Sequence, residues 1–202
     1  MTTVAEDAGT AAGTGTARRA MIDSQLRTSG VTTPRVVRAM EAVRREDYLP
    51  AEKRGHAYID RAIPLADGGA LAAPVVQGKM LEEAMPQAGE KVLVLENGSG
   101  YLAALVAEMG AEVTSEAAAS AATSKKKGDF DLILVDGAAE QLPPAIAKRL
   151  GPDGRIVTGI VEKGVTRLAR GKLAGKSVAL LPVGDVGMPV IAAFAAEKSW
   201  TF

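Results

Sequence analysis

The chain contains no cysteine. That excludes a disulfide framework, thiolate catalysis and cysteine-ligated metal centres. It has one histidine, His56, beside Lys53 and Arg54 and without partners at metal-ligand spacing, so a surface position is expected and no metal site. Aromatic residues make up only 3% of the sequence, which leaves the core to Ala, Val, Leu and Ile. Neither charge sign is in excess: 24 Lys and Arg balance 24 Asp and Glu. A nucleic-acid or anionic-membrane partner is therefore not expected. Lys125-Lys126-Lys127 has no aromatic interleaved and reads as a solvated helix end. No apolar run approaches the length needed to span a bilayer. The first residues, MTTVAEDAGTAAGTGT, lack the basic start and apolar core of a signal peptide, and a cytoplasmic location is expected.

What is present points to one α/β unit with appendages. The 202 residues are 47% apolar, enough for a sizeable core. Residues 1–16 are small and polar and read as a disordered tail. Residues 17–86 read as an N-terminal helical and loop extension. A helix starts at Ala17 and stops at Gly30. A second opens at Thr33-Pro34, with Thr33 as cap and Pro34 at the first helical position. A long irregular stretch with turn signals at Leu49-Pro50 and Asp67-Gly68-Gly69 follows, and Pro74 opens a third helix closing near Gly89. Residues 87–202 read as the α/β core, with strands over 91–95, 112–115, 131–135, 155–160, 177–182 and 189–195. The last two are expected to form an antiparallel hairpin across Pro182 to Pro189, and Trp200 and Phe202 to pack the C-terminus down.

The most informative stretch runs from Lys91 to Glu116. It reads as buried strand, Gly-containing turn (Asn97, Gly98, Ser99, Gly100), helix, and a second strand ending in an acid. That order is a βαβ unit for an adenosine-containing cofactor. Gly98 and Gly100 permit a sharp turn and close approach of a ligand to the backbone. The helix behind them offers free N–H groups and a positive dipole end. Glu116 stands where an acid accepts hydrogen bonds from ribose hydroxyls. Asp136, ending the strand Asp131 to Val135, is either on the edge of the same crevice or an ordinary cap.

From about Ala17 to Phe202 the chain resembles the protein-L-isoaspartate O-methyltransferase family. The matching pieces are Met21 to Leu26 with Gly30-Val31; Val36 to Val43 with Arg45 to Pro50; Ala57 to Asp60 with Ile63 to Leu65; Gly98 to Tyr101; and Asp129 to Ile133 with Leu142-Pro143. The resemblance implies a Rossmann-like, S-adenosylmethionine-dependent methyltransferase fold with a mostly parallel sheet, a C-terminal antiparallel hairpin and an N-terminal helical extension. It implies S-adenosyl-L-methionine as cofactor and isoaspartyl proteins or peptides as substrate, methylated on the free carboxylate in protein repair. The implied cofactor-binding residues are Glu96, Asn97, Gly98, Ser99, Gly100, Glu116 and Asp136.

The departures from the family pattern bear on activity. The family loop T-I-S-Q-P is Ala70-Leu71-Ala72-Ala73-Pro74 here, and Ala72 takes the place of the family's catalytic serine. No residue of this chain is therefore assigned a catalytic role. Glu96 replaces a glycine; it either attracts the ammonium or sulfonium of the cofactor or fills open backbone space. Residues 117–130 are long enough for a crossover helix and little else, so the family's third strand and part of its adenine wall are expected to be missing. Weak catalysis, a binding-only protein and a methyltransferase with another substrate all stay open.

Overall fold

The computed structural model describes residues 13–66 and 68–196. Residues 1–12, Asp67, Trp200 and Phe202 lie outside the described residues. Helix α1 spans 13–21, so residues 13–16 are helical and not part of a tail. The Thr14 hydroxyl meets Glu46, which ties the first turn down, and Met21 is buried. The chain continues through a π-helical turn, Ile22–Leu26, and a 3-10 turn, Arg27–Ser29, and stops at Gly30 with φ 88°.

Helix α2, Pro34–Ala42, begins where Thr33-Pro34 predicts, yet the Thr33 side chain does not cap it. Glu82 does so from helix α3, Pro74–Ala84. Its Oε1 accepts from the N–H of Thr32 (2.7 Å) and Thr33 (2.6 Å), and its Oε2 accepts from the Thr33 hydroxyl (2.5 Å). Between α2 and α3 lie two 3-10 segments, Arg45–Tyr48 and Ala51–His56, and a minimal antiparallel ribbon of β1, Ile63–Pro64, and β2, Ala70–Leu71. Helix α3 ends with Met85 in the left-handed conformation, earlier than the expected Gly89.

The central sheet contains β3, Lys91–Glu96; β4, Glu112–Ala117; β5, Phe130–Ala139; β6, Leu150–Glu162; β7, Val165–Ala174; and β8, Ser177–Asp185. Their order is β4-β3-β5-β6-β7-β8. The first four are mutually parallel and the last two antiparallel. Helix α4, Tyr101–Glu108, crosses from β3 to β4. Helix α5, Ala118–Ala122, has five residues and is the only helix between β4 and β5. Among the described residues no strand lies beyond β4, as the short 117–130 interval predicts.

The antiparallel end differs from expectation in its members. Residues 165–174, not expected as a strand, form β7. Lys163 (φ 52°) and Gly164 (φ 80°) make a two-residue turn with both centres left-handed, the geometry that suits a tight hairpin. Residues 189–195 do not form a strand. Val190 makes one bridge to Ala138, and Ala192–Phe194 turn into a 3-10 segment. Ile191 and Phe194, three residues apart, are both buried in that turn. Strand β8 continues through Pro182, and Val183 is left without a register partner where Leu168 faces Gly184 and Ala169 faces Pro182. Between β5 and β6 lies the short helix α6, Pro144–Ala147, and residues 151–154 form an irregularity inside β6.

The sheet carries apolar side chains on both faces. One face packs with the N-terminal helices, α3 and α4 through Met40, Leu81, Val92, Val94, Leu105 and Leu134. The other meets α5, α6 and the 191–194 turn through Leu93, Leu95, Ala118, Ile133, Ile146 and Phe194. Strands covered on both sides read as continuous apolar runs, as Val92 to Leu95 and Leu132 to Val135 do.

Candidate active site

Parallel strands aim their C-terminal ends at one edge of a sheet, and the crevice there is where ligands bind in this architecture. Glu96, Glu116 and Asp136 end or nearly end β3, β4 and β5. The register pairs Leu95 with both Glu116 and Val135, so Glu96 and Asp136 lie side by side at that edge, and Glu116 lies one residue back on the opposite face of the sheet. The turn after β3 carries Gly98 (φ 102°) and Gly100 (φ 74°), conformations that favour glycine. The loop of the 70–74 segment sits against this turn. The Ala70 N–H donates to the Asn97 carbonyl at 2.8 Å, and a side chain at Gly69 would strike that same oxygen.

Glu96 folds back over the start of α4. Its Oε2 accepts from the Gly100 N–H (3.0 Å) and its Oε1 from the Ala103 N–H (3.3 Å). The Ser115 hydroxyl also meets it. The carboxylate thus occupies the helix end that a ligand's anion would use. Burial raises its pKa, and the three hydrogen bonds oppose that rise.

Asp136 is fully buried behind it. Gln77 of α3 donates from Nε2 to both Asp136 oxygens at 3.3 Å. Desolvation, then repulsion from Glu96, pushes the Asp136 carboxyl up to about 7. Its counter-charge is Arg45, itself completely buried. The Arg45 guanidinium donates to the carbonyls of Ala57 and Ala72 and, at 2.6 Å, to Gln77 Oε1. It lies 5.0 Å over the Tyr101 ring, which meets Tyr48 edge-on at 5.3 Å. Desolvation lowers the Arg45 pKa, and Tyr101 and Asp136 pull it back. Arg45 therefore fixes the 70–74 loop from beneath, at the position where Ala72 replaces a hydroxyl.

Glu116 is held by cations. Arg149 donates to Oε2 (3.1 Å) and Oε1 (3.2 Å), and Lys126 donates to Oε1 (2.9 Å). These bonds hold its carboxyl below the usual range. Arg149 also lies 5.4 Å over the Phe130 ring. The pair pins the short 117–130 connection to the sheet.

All seven residues expected to contact a cofactor are thus grouped at one edge, although Asp136 is sealed beneath Gln77. Arg45, Gln77, Arg149 and Lys126 hold these acids in place and went unrecognised in the sequence. Their partners lie 10 to 59 residues away, and nothing in their local sequence marks them. His56 is exposed, as expected.

A mostly parallel sheet with a glycine turn after its first long strand and acids on the next two defines an α/β protein of the methyltransferase type. Residues 16–126 match the protein-L-isoaspartate(D-aspartate) O-methyltransferase (PCMT) family. A protein-L-isoaspartate O-methyltransferase of Koribacter versatilis is 32% identical over 191 residues, covering 77% of this chain and 86% of its own. One of Aeropyrum pernix is 37% identical over 174 residues, covering 71% of this chain and 66% of its own length. A crystal structure from Plasmodium falciparum, named as a protein-L-isoaspartate O-methyltransferase in complex with S-adenosyl-L-homocysteine, superposes with a TM-score of 0.73 at 16% identity, over 89% of this chain and 98% of that one. The chain belongs to the protein-L-isoaspartate O-methyltransferase family. Another member, from Marinobacter nauticus, aligns over 208 positions, more than the whole length of this chain. No helix among the described residues is long and apolar enough to cross a membrane.

Proposed function

We propose that this protein is an S-adenosylmethionine-dependent methyltransferase that esterifies the free carboxylate of isoaspartyl residues in proteins or peptides, with slow turnover. The observation that carries this reading is the glycine turn at the C-terminal edge of the parallel strands, with the 70–74 loop against it, in a chain of this family.

The residues present fit the cofactor. The backbone at Gly100 is bare, the nearest atom to a side chain there being Tyr48 Cδ1 at 3.9 Å. Glu116 Oε2 accepts from Arg149, which leaves it a lone pair for a ribose hydroxyl. Glu96 offers a carboxylate to the cationic end. Bound S-adenosylmethionine supplies an already activated methyl group on sulfur. A substrate carboxylate with a pKa of about 3.5 is ionised at neutral pH, so no residue needs to act as a base. The protein's task is alignment, where effective molarities are large. Arg45 holds the Ala72 carbonyl in place, but neither Ala70 nor Ala72 offers a hydroxyl to orient the substrate.

Transfer of labelled methyl groups to an isoaspartyl peptide, with the aspartyl peptide as control, tests the reading. Slow, isoaspartyl-selective transfer is expected, rising about tenfold or more in the Ala70→Thr/Ala72→Ser variant, by analogy with a restored transition-state donor. No transfer by either protein despite measured cofactor binding would favour a second reading, a binding-only family member. The occupied α4 terminus and the doubly paired Glu116 support that alternative. The zero net charge supports a protein without nucleic-acid or anionic-membrane partners.

A further inference from the structure

We infer that Glu96 acts as a built-in stand-in for the ligand's carboxylate and makes this site prefer an adenosyl sulfonium that keeps the amine but lacks the carboxylate. The inference rests on the proposed cofactor site and refines what that site accepts.

The argument begins with the donors. The first turn of a helix has a fixed stock of free N–H groups, and an anion is stabilised there by direct hydrogen bonds and by the helix dipole. In α4 the Gly100 and Ala103 N–H groups are taken by the two oxygens of Glu96. A ligand carboxylate arriving at the same end meets no free donor at these two positions. It meets instead a carboxylate already seated, with a second one, Asp136, buried behind it. Like charges at short range in a partly buried site disfavour each other strongly.

The positive end of the ligand experiences the reverse. An ammonium or sulfonium beside Glu96 gains an ion-pair partner. The one cation of this cluster, Arg45, is spoken for by Ala57, Ala72 and Gln77 and lies beyond Asp136. The seated Glu96 carboxylate and the filled donor set therefore select for a ligand positive at this end. S-adenosylmethionine carries both an ammonium and a carboxylate; its decarboxylated analogue carries the ammonium alone. The analogue keeps every favourable contact and drops the unfavourable one.

Calorimetric titration of the full chain with the two ligands tests this. The decarboxylated analogue should bind at least tenfold more tightly than S-adenosylmethionine. In Glu96→Gly the two N–H groups are released and the preference should vanish or invert. Glu96→Gln, which removes the charge but not the side chain, should fall between and covers the case in which the glycine variant melts early. Equal affinities in the parent, or a ratio unchanged in both variants, would overturn the inference while leaving the cofactor site intact. Failure of both ligands to bind the parent and both folded variants would overturn the cofactor site, and this inference with it.

Discussion

Two glutamates at the ends of neighbouring strands have opposite surroundings. Glu96 is seated on neutral backbone amides, and burial makes its ionisation harder in spite of those hydrogen bonds. Glu116 is gripped by a guanidinium and an ammonium, and its ionisation is made easier. The difference separates two uses of an acid. Glu116 stabilises the fold by being charged. Glu96 and Asp136 hold negative charge that the fold tolerates only because Arg45 and a set of hydrogen bonds offset it.

The most damaging way to break the comparison is to remove that offset. Arg45→Met leaves the Ala57 and Ala72 carbonyls, Gln77 and Asp136 without their donor or counter-charge in the interior. Loss of one partner from such a buried cluster costs about 3–5 kcal/mol. Urea denaturation should show a loss of that order, and a loss under about 1 kcal/mol would show that the guanidinium does not hold the cluster together.

The pH dependence separates the two acids by sign. The Asp136 pKa is raised to about 7 in the folded protein, whereas an unfolded aspartate titrates near about 4. Between those values the folded state keeps a proton that the unfolded chain has released, so stability falls as pH rises through this window. Asp136→Asn should flatten that decline. Glu116 is lowered instead. Its contribution is present above the ordinary glutamate value of about 4.3 and is lost as pH falls through the lower folded value. Glu116→Gln should cost about 1–3 kcal/mol at neutral pH, as for hydrogen bonds to a charged group, and much less in acid. Denaturation of the parent and Asp136→Asn at about pH 5 and about pH 8, and of the parent and Glu116→Gln at about pH 3 and about pH 7, checks this; a pH dependence of the same sign at both sites would remove the distinction.

The smallest effect sharpens the Glu116 side. Lys126 is 67% exposed, whereas the Arg149 side chain is only 5% exposed. Lys126→Ala should change stability by less than about 0.5 kcal/mol, since exposed pairs contribute little. Arg149→Met should cost clearly more. Equal losses would mean that the exposed lysine, and not the guanidinium, anchors the 117–130 connection.

The unit from β3 to β4 was legible because its signals are local. An apolar run, two glycines, an eight-residue helix and a terminal acid follow within twenty-six residues. The polar cluster was not legible. Arg45 looks like one more charge in Arg44-Arg45-Glu46-Asp47, and only its burial against α3 and β5 reveals its task. Glu82 looks like a surface residue of α3, yet it caps α2 across 49 residues. Strand β7 was missed because Arg167, Arg170 and Lys172 interrupt its apolar residues, whereas the Ile191 and Phe194 segment looked like a strand because short apolar runs suit either conformation.

Strand β8 is the outermost strand on its side of the sheet, with Leu181 57% and Val183 39% exposed. An open edge with such side chains is a template on which a second chain can add a strand, the first step toward precipitation. Pro182 carries no amide donor, and the unmatched Val183 breaks the register beside it. The same irregularity that made this end of the sheet hard to read therefore interrupts an edge that would otherwise offer an unbroken apolar template.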